Sequence, residues 1–174
     1  MKLIILDTYS HDEKIFDGTL QEDVLLITYN SEKHNTATLF YNKISEQLPP
    51  NPLFSSIGWG FHGYFEEINK LKYSFSILKN KNHKIYFNCI ENKREECLVD
   101  TRNCSSDVLI IKNILKPLLA ENGRIDMFMC NLFKEPLKTY FLFLEDICKV
   151  NLASSSNITG NTLCRALCKT PKNT

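Results

Sequence analysis

Apolar residues come in short runs separated by charged or turn-forming segments, and the spacing inside each run indicates the element. Leu3 to Leu6 is continuously apolar and closes at Asp7, and Val24 to Tyr29 is a second such run between Glu22-Asp23 and Asn30-Ser31. Both predict buried strands. From Asn35 to Gln47 the period lengthens, with Leu39, Phe40, Lys43-Ile44 and Leu48 sharing one helical face. Asn35 or Thr36 is placed to cap this helix, and Pro49-Pro50 stops it. Phe54 to Phe61 predicts a strand ending at His62-Gly63, whereas Glu66 to Leu71 has no clear period. Tyr73 to Ile77 and Ile85 to Cys89 alternate with period two around a polar turn, which predicts an antiparallel hairpin. Asn92 to Asn103 is charged and predicts a loop. Ser105 or Ser106 is placed to cap a helix through Val108, Ile111, Ile114-Leu115 and Leu118-Leu119, with Asp107 at its positive end and Pro117 late in the pattern. After the turn signal Glu121-Asn122-Gly123 come a strand over Arg124 to Met129, a helix over Lys134 to Lys149 presenting Leu137, Phe141, Leu144 and Cys148, and a strand over Val150 to Ala153.

Strands alternating with helices in this order predict an α/β fold: a three-layer, mostly parallel sheet with helices on both faces and an inserted β-hairpin. One domain over residues 1–162 and a short tail over 163–174 account for the chain. Ligands of such sheets bind beyond the carboxyl ends of the strands, where Asp7, His62, Cys130 and Ser154 to Thr159 are predicted to lie.

Composition narrows the partners. The 174 residues are 43% hydrophobic, enough for one domain to bury roughly two-thirds of its extended-chain surface. Lys plus Arg number 21 against 20 acidic residues, so no broad positive field is available to hold a nucleic acid. The opening apolar run is too short for a secretory signal or a membrane span, which gives the expectation of a cytoplasmic protein with no membrane partner. Seven cysteines cannot all pair within one chain, and a reducing compartment is the simpler reading. The absence of CxxC spacing argues against a structural metal, and no glycine-rich phosphate loop suggests a nucleotide, so no cofactor is expected.

Two strand-end pairs carry the candidate chemistry, His62-Gly63 and Cys130-Asn131. An imidazole beside a thiol takes its proton and makes the sulfur a nucleophile toward an acyl carbon, and the imidazole then returns the proton to the departing amine. The N–H groups of Gly63 and Cys130 are candidates for the oxyanion hole. The same residues also read as a small buried side chain at Cys130 and a loop histidine at His62.

Four motifs in order carry a family resemblance: Leu3 to Thr8, Ser56 to Gly63 with its terminal His-Gly, Ile125 to Leu132 with Cys130-Asn131, and Leu152 to Asn161 with Thr159-Gly160-Asn161. Over residues 3–161 the chain resembles the DUF4347 family, itself similar to the caspase-like cysteine peptidases that include gingipains, separases and metacaspases. The resemblance implies a caspase-like fold and a dyad of Cys130 and His62. It also places Asp7 near the cleft, where a carboxylate would orient His62 or, equally, cap a strand end. Asn131 would hold the turn after the nucleophile, and Thr159 would shape the cleft wall or serve an ordinary turn. Phe61 and Met129 depart from the family pattern, which has Ser and Gly at those positions. The implied function is a cysteine endopeptidase acting on a peptide or protein substrate. The alternative is a catalytically inactive caspase-like module for protein binding or scaffolding, with the Tyr73 to Ile90 hairpin as the place where a protein partner docks by edge addition.

Overall fold

A computed structural model describes residues 1–9, 20–90, 93–128 and 136–154, without the side chains at 65, 93–97 and 154. Strands β1 (Lys2–Asp7), β2 (Val24–Tyr29), β3 (Phe54–Gly60), β8 (Leu119–Phe128) and β9 (Asn151–Ser154) form one sheet in the order β2-β1-β3-β8-β9, with every neighbouring pair parallel. Between β3 and β8 the chain builds a second sheet of four antiparallel strands, β4 (Tyr64–Asn69), β5 (Lys72–Ser76), β6 (Ile85–Ile90) and β7 (Lys93–Asp100), in sequence order. The predicted hairpin is therefore the middle of this sheet. The two segments read as patternless or loop-like, Glu66 to Leu71 and Asn92 to Asn103, supply its outer strands.

The helices follow the apolar spacing with local corrections. Helix α1 (Ala37–Ser45) is capped by Thr36, whose side chain accepts from the Leu39 N–H at 3.2 Å. It buries Ala37, Phe40 and Ile44 and leaves Leu39 exposed. Helix α2 (Ser105–Val108) has no side-chain cap, so neither serine plays the predicted part. It widens into a π-helical stretch over Leu109–Leu115 that buries Ile110, Ile111, Ile114 and Leu115, and a 3-10 turn at Lys116–Leu118 containing Pro117 ends it. Proline has no N–H to continue the ladder. Helix α3 (Leu137–Cys148) buries Leu137, Phe141, Leu144 and Cys148 as expected, together with Tyr140. The predicted turn at Glu121-Asn122-Gly123 lies inside β8, where the β3 register jumps and Asn122 takes a positive φ of 60°.

Strand order decides which face the helices cover. Steps from β2 to β3, β3 to β8 and β8 to β9 all run the same way across the sheet, so right-handed crossovers place α1, α2 and α3 on one face. The burial agrees. Leu3, Ile5, Ile57, Trp59, Ile125 and Met127 share a core with all three helices and with Phe75 and Phe87 of the second sheet. On the opposite face Ile4 and Leu6 pack with Leu20, Val24 and Leu26 among the described residues. Every described helix lies on one face; the β1 to β2 connection, which alone steps the other way, runs through residues 10–19, outside the described residues. No helix among the described residues is long and apolar enough to cross a membrane.

Candidate functional site

The direction of chain winding reverses between β1, which leads outward to β2, and β3, from which all later strands proceed the other way. Such a reversal opens a crevice at the carboxyl ends of the two central strands. Leu6 pairs with Gly60 there, so Asp7 and the segment Phe61-His62-Gly63 leave the sheet side by side. On the other flank of β3, Gly60 pairs with Phe128 and the Phe61 N–H donates to the Phe128 carbonyl at 3.3 Å. Cys130 and Asn131, two and three residues farther on, lie outside the described residues, as does Thr159.

His62 is exposed between two buried neighbours. Phe61 is 1% exposed and rests on Trp59 with ring centroids 4.8 Å apart. Trp59 is fully buried and donates its indole N–H to the Tyr29 hydroxyl at 3.2 Å, so it belongs to the core under the crevice. Burial pushes the Tyr29 phenol well above its usual range, and the negative charge of Asp7 adds to the shift. Gly63 takes φ 67°, a conformation only glycine adopts without strain, and it turns the chain from β3 into β4. Among the described residues nothing accepts a hydrogen bond from its N–H.

Asp7 is fully buried, and its Oδ1 accepts from the N–H groups of Tyr9 at 3.0 Å and Ser31 at 2.9 Å. Among the described residues no hydrogen bond or ion pair joins it to His62. Its visible work is the strand-end cap, tying the loop after β1 to the loop after β2. Around it the second sheet is fastened to those loops. The Ser31 and Tyr64 hydroxyls share a 2.8 Å hydrogen bond. The Lys79 ammonium donates to the Tyr9 hydroxyl at 2.6 Å and to Glu32 at 2.8 Å while lying 4.1 Å from the centre of the Tyr9 ring. Asn80 adds a bond to the Asn35 carbonyl at 2.9 Å. The hydrogen bond to Glu32, followed by that to Tyr9, holds the Lys79 ammonium above its ordinary value, and burial raises the Tyr64 phenol. Sequence reading missed this clamp, since Lys79 stands in a stretch that reads only as a turn and its partners are 47 and 70 positions away.

The described thiols divide into two kinds. Cys89 is disulfide-bonded, which departs from the expected reduced state, and the β6–β7 register sets Cys97 opposite it. Cys104 and Cys148 are free, and burial pushes both thiols up. A raised thiol pKa leaves less thiolate at neutral pH, so neither is an activated nucleophile. A cavity of about 490 Å³ lies at the other end of the sheet, lined by Lys116, Glu121, Asn122 and Lys149 among others, and so away from the crevice. Compared with known protein-family models, curated proteins and solved structures, the chain matches none.

Proposed function

We propose that this chain is a caspase-like cysteine endopeptidase in which Cys130 attacks the scissile carbonyl and His62 manages the proton. The Cys130 sulfur bonds to the acyl carbon as its proton passes to His62, the peptide amine leaves with that proton, and water then hydrolyses the thioester. The Gly63 and Cys130 N–H groups receive the oxyanion. The observation that carries the reading is the register of β3 with β8. Gly60 and Phe128 are paired, and His62 and Cys130 each stand two residues beyond that pair. Two residues of chain reach at most about 7 Å, so chain length permits the proposed pairing, although Cys130 itself lies outside the described residues. His62 borders the crevice where a sheet of this winding takes its ligands. The resemblance of the four motifs to DUF4347 proteins supports the same pairing, with Asn131 holding the turn and Thr159 on the cleft wall.

Cys130→Ala and His62→Ala are each expected to lower peptide hydrolysis by about a thousandfold or more while leaving the urea unfolding midpoint unchanged. A fluorogenic peptide library and alkylation by iodoacetamide provide the measurements. A wild-type chain that cleaves nothing in the library, with Cys130 alkylated no faster than Cys104, overturns the peptidase. If such a chain still binds extended peptides, it is the noncatalytic caspase-like binding module.

A further inference from the structure

Docking by edge addition at the Tyr73 to Ile90 hairpin needs a free edge, and β5 and β6 are each paired on both sides. What the hairpin presents is its face. Tyr73 and Phe75 turn into the core shared with the helices, so Ser74 and Ser76, one step out of phase, lie on the opposite face of the sheet. Both are buried there, at 0% and 3% exposed. The Ser74 Oγ has no hydrogen-bond partner. A buried hydroxyl left unpaired costs the fold stability, and the side chains around it indicate the partner it lacks.

Residues paired across neighbouring antiparallel strands share a face. Ser74 stands between Glu66 of β4 and Tyr86 of β6, with Lys72 two positions back on its own strand. The Lys72 ammonium lies over the Tyr86 ring, 4.9 Å from its centre. Lys84 precedes Ile85, which pairs with Phe75, and it donates to Glu66 on the far side of β5, so its side chain passes over the two serines. Two ammonium groups thus border the buried hydroxyl, and one carboxylate answers them. Lys72 forms no ion pair among the described residues, and Asp100, the acid whose charge it lowers, is bound to Arg102.

Glu66 serves Lys84 and leaves Ser74 unpaired. A tetrahedral oxyanion has acceptor oxygens enough for both ammonium groups and the hydroxyl together, and charge strengthens each of those bonds. A cation would meet like charge, and a neutral ligand would leave the ammonium groups unanswered. The Glu66 side chain is 62% exposed, and so exposed an ion pair contributes little. Lifting it from Lys84 is a small cost.

We propose that this face of the antiparallel sheet binds a phosphate group, free or as the monoester of a small molecule. The Ser74 hydroxyl and the Lys72 and Lys84 ammonium groups donate to its oxygens, and Glu66 is the lid that it displaces. The proposal does not rest on the peptidase reading.

The test titrates the full-length chain, labelled with nitrogen-15, with sodium phosphate at an ionic strength held constant by sodium chloride. Saturable shifts are expected at the Ser74 and Tyr86 amides below about 10 mM phosphate. Ser74→Ala loses no bond within the fold, so it is expected to unfold at no lower urea concentration than the wild type and to bind phosphate about tenfold more weakly. Lys72→Gln and Lys84→Gln are also expected to weaken binding, whereas Glu66→Gln is expected to tighten it about threefold. Opposite effects from the two partners of one ion pair are not produced by a structural role alone. Glycerol 3-phosphate separates the two sources: shifts at the same amides point to a monoester, and their absence beside a phosphate response points to the free ion. No saturable shift at Ser74 and Tyr86 up to about 10 mM phosphate, or shifts that Ser74→Ala and Glu66→Gln leave unaltered, overturns the proposal.

Discussion

Asp7→Ala is expected to lower the stability of the folded chain by about 3 kcal/mol, because two N–H donors lose their acceptor together and each such loss costs about 1–3 kcal/mol. The donors belong to Tyr9 and Ser31, which lie in different loops. The Ser31 bond is wholly buried, so water cannot replace the missing oxygen without opening the site. Asp7→Asn keeps Oδ1 and is expected to recover most of the loss. Urea unfolding of the two variants at neutral pH separates acceptor geometry from charge, and equal losses would mean that the negative charge is what matters. The effect spreads outward, since Ser31 also holds Tyr64, and Tyr9 also holds Lys79. Loosening Asp7 therefore loosens the clamp that fastens the antiparallel sheet to the crevice. The Tyr64 phenol reports this directly. Burial is the main cause of its raised pKa and the charge of Asp7 contributes, so Asp7→Asn is expected to bring its alkaline titration down toward the ordinary tyrosine range.

How much of this is legible in the sequence depends on burial. β1, β2, β3, α1, α3 and the β5–β6 pair are buried on at least one face, and their apolar spacing shows it. β4 and β7 escape the pattern because they are outer strands carrying Glu66-Glu67 and Lys93 to Glu96. Charge on an edge strand limits unwanted pairing, and it erases the alternation by which a strand is recognised. The start of β8 is hidden for another reason: Glu121-Asn122-Gly123 is good turn chemistry used inside a strand, as a bulge against β3. Which face the helices cover is a property of strand order, to which helical periodicity is blind. At the crevice, His62-Gly63 can be read as a strand end from the apolar run before it. The cap at Asp7 is legible as one of two readings, through its local donor Tyr9, whereas its second donor, the Ser31 N–H 24 positions away, is not.

The largest pH effect is expected from Asp107. This carboxyl is buried at the start of the second helical segment, accepts the Tyr140 hydroxyl at 2.6 Å, and is pushed up to about 7 by burial, against the opposing hydrogen bond. An unfolded aspartate titrates near 3.9. The folded chain therefore binds this proton more tightly than the unfolded chain does. The resulting stability is fully present below about pH 4 and is lost as pH rises through about 7. A proton held about a thousandfold more tightly in the folded chain corresponds to about 4 kcal/mol. Asp107→Asn removes the titration, so the variant is expected to be the more stable protein at pH 8 and to lose that advantage by pH 4.5. Urea unfolding across this range tests it, and parallel curves for the two proteins would show that Asp107 ionises freely in the fold. Asp100 and Glu66 are held low by Arg102 and Lys84, so they do not mimic the effect within this window. Cys104 provides a second readout: burial raises its thiol and the charge of Asp107 raises it further, so the variant is expected to lower it. The position of Asp107 gives the titration its reach. Tyr140 packs edge-on against Phe75 and Phe87, so Asp107 is tied through Tyr140 to the joint between the helices and the antiparallel sheet.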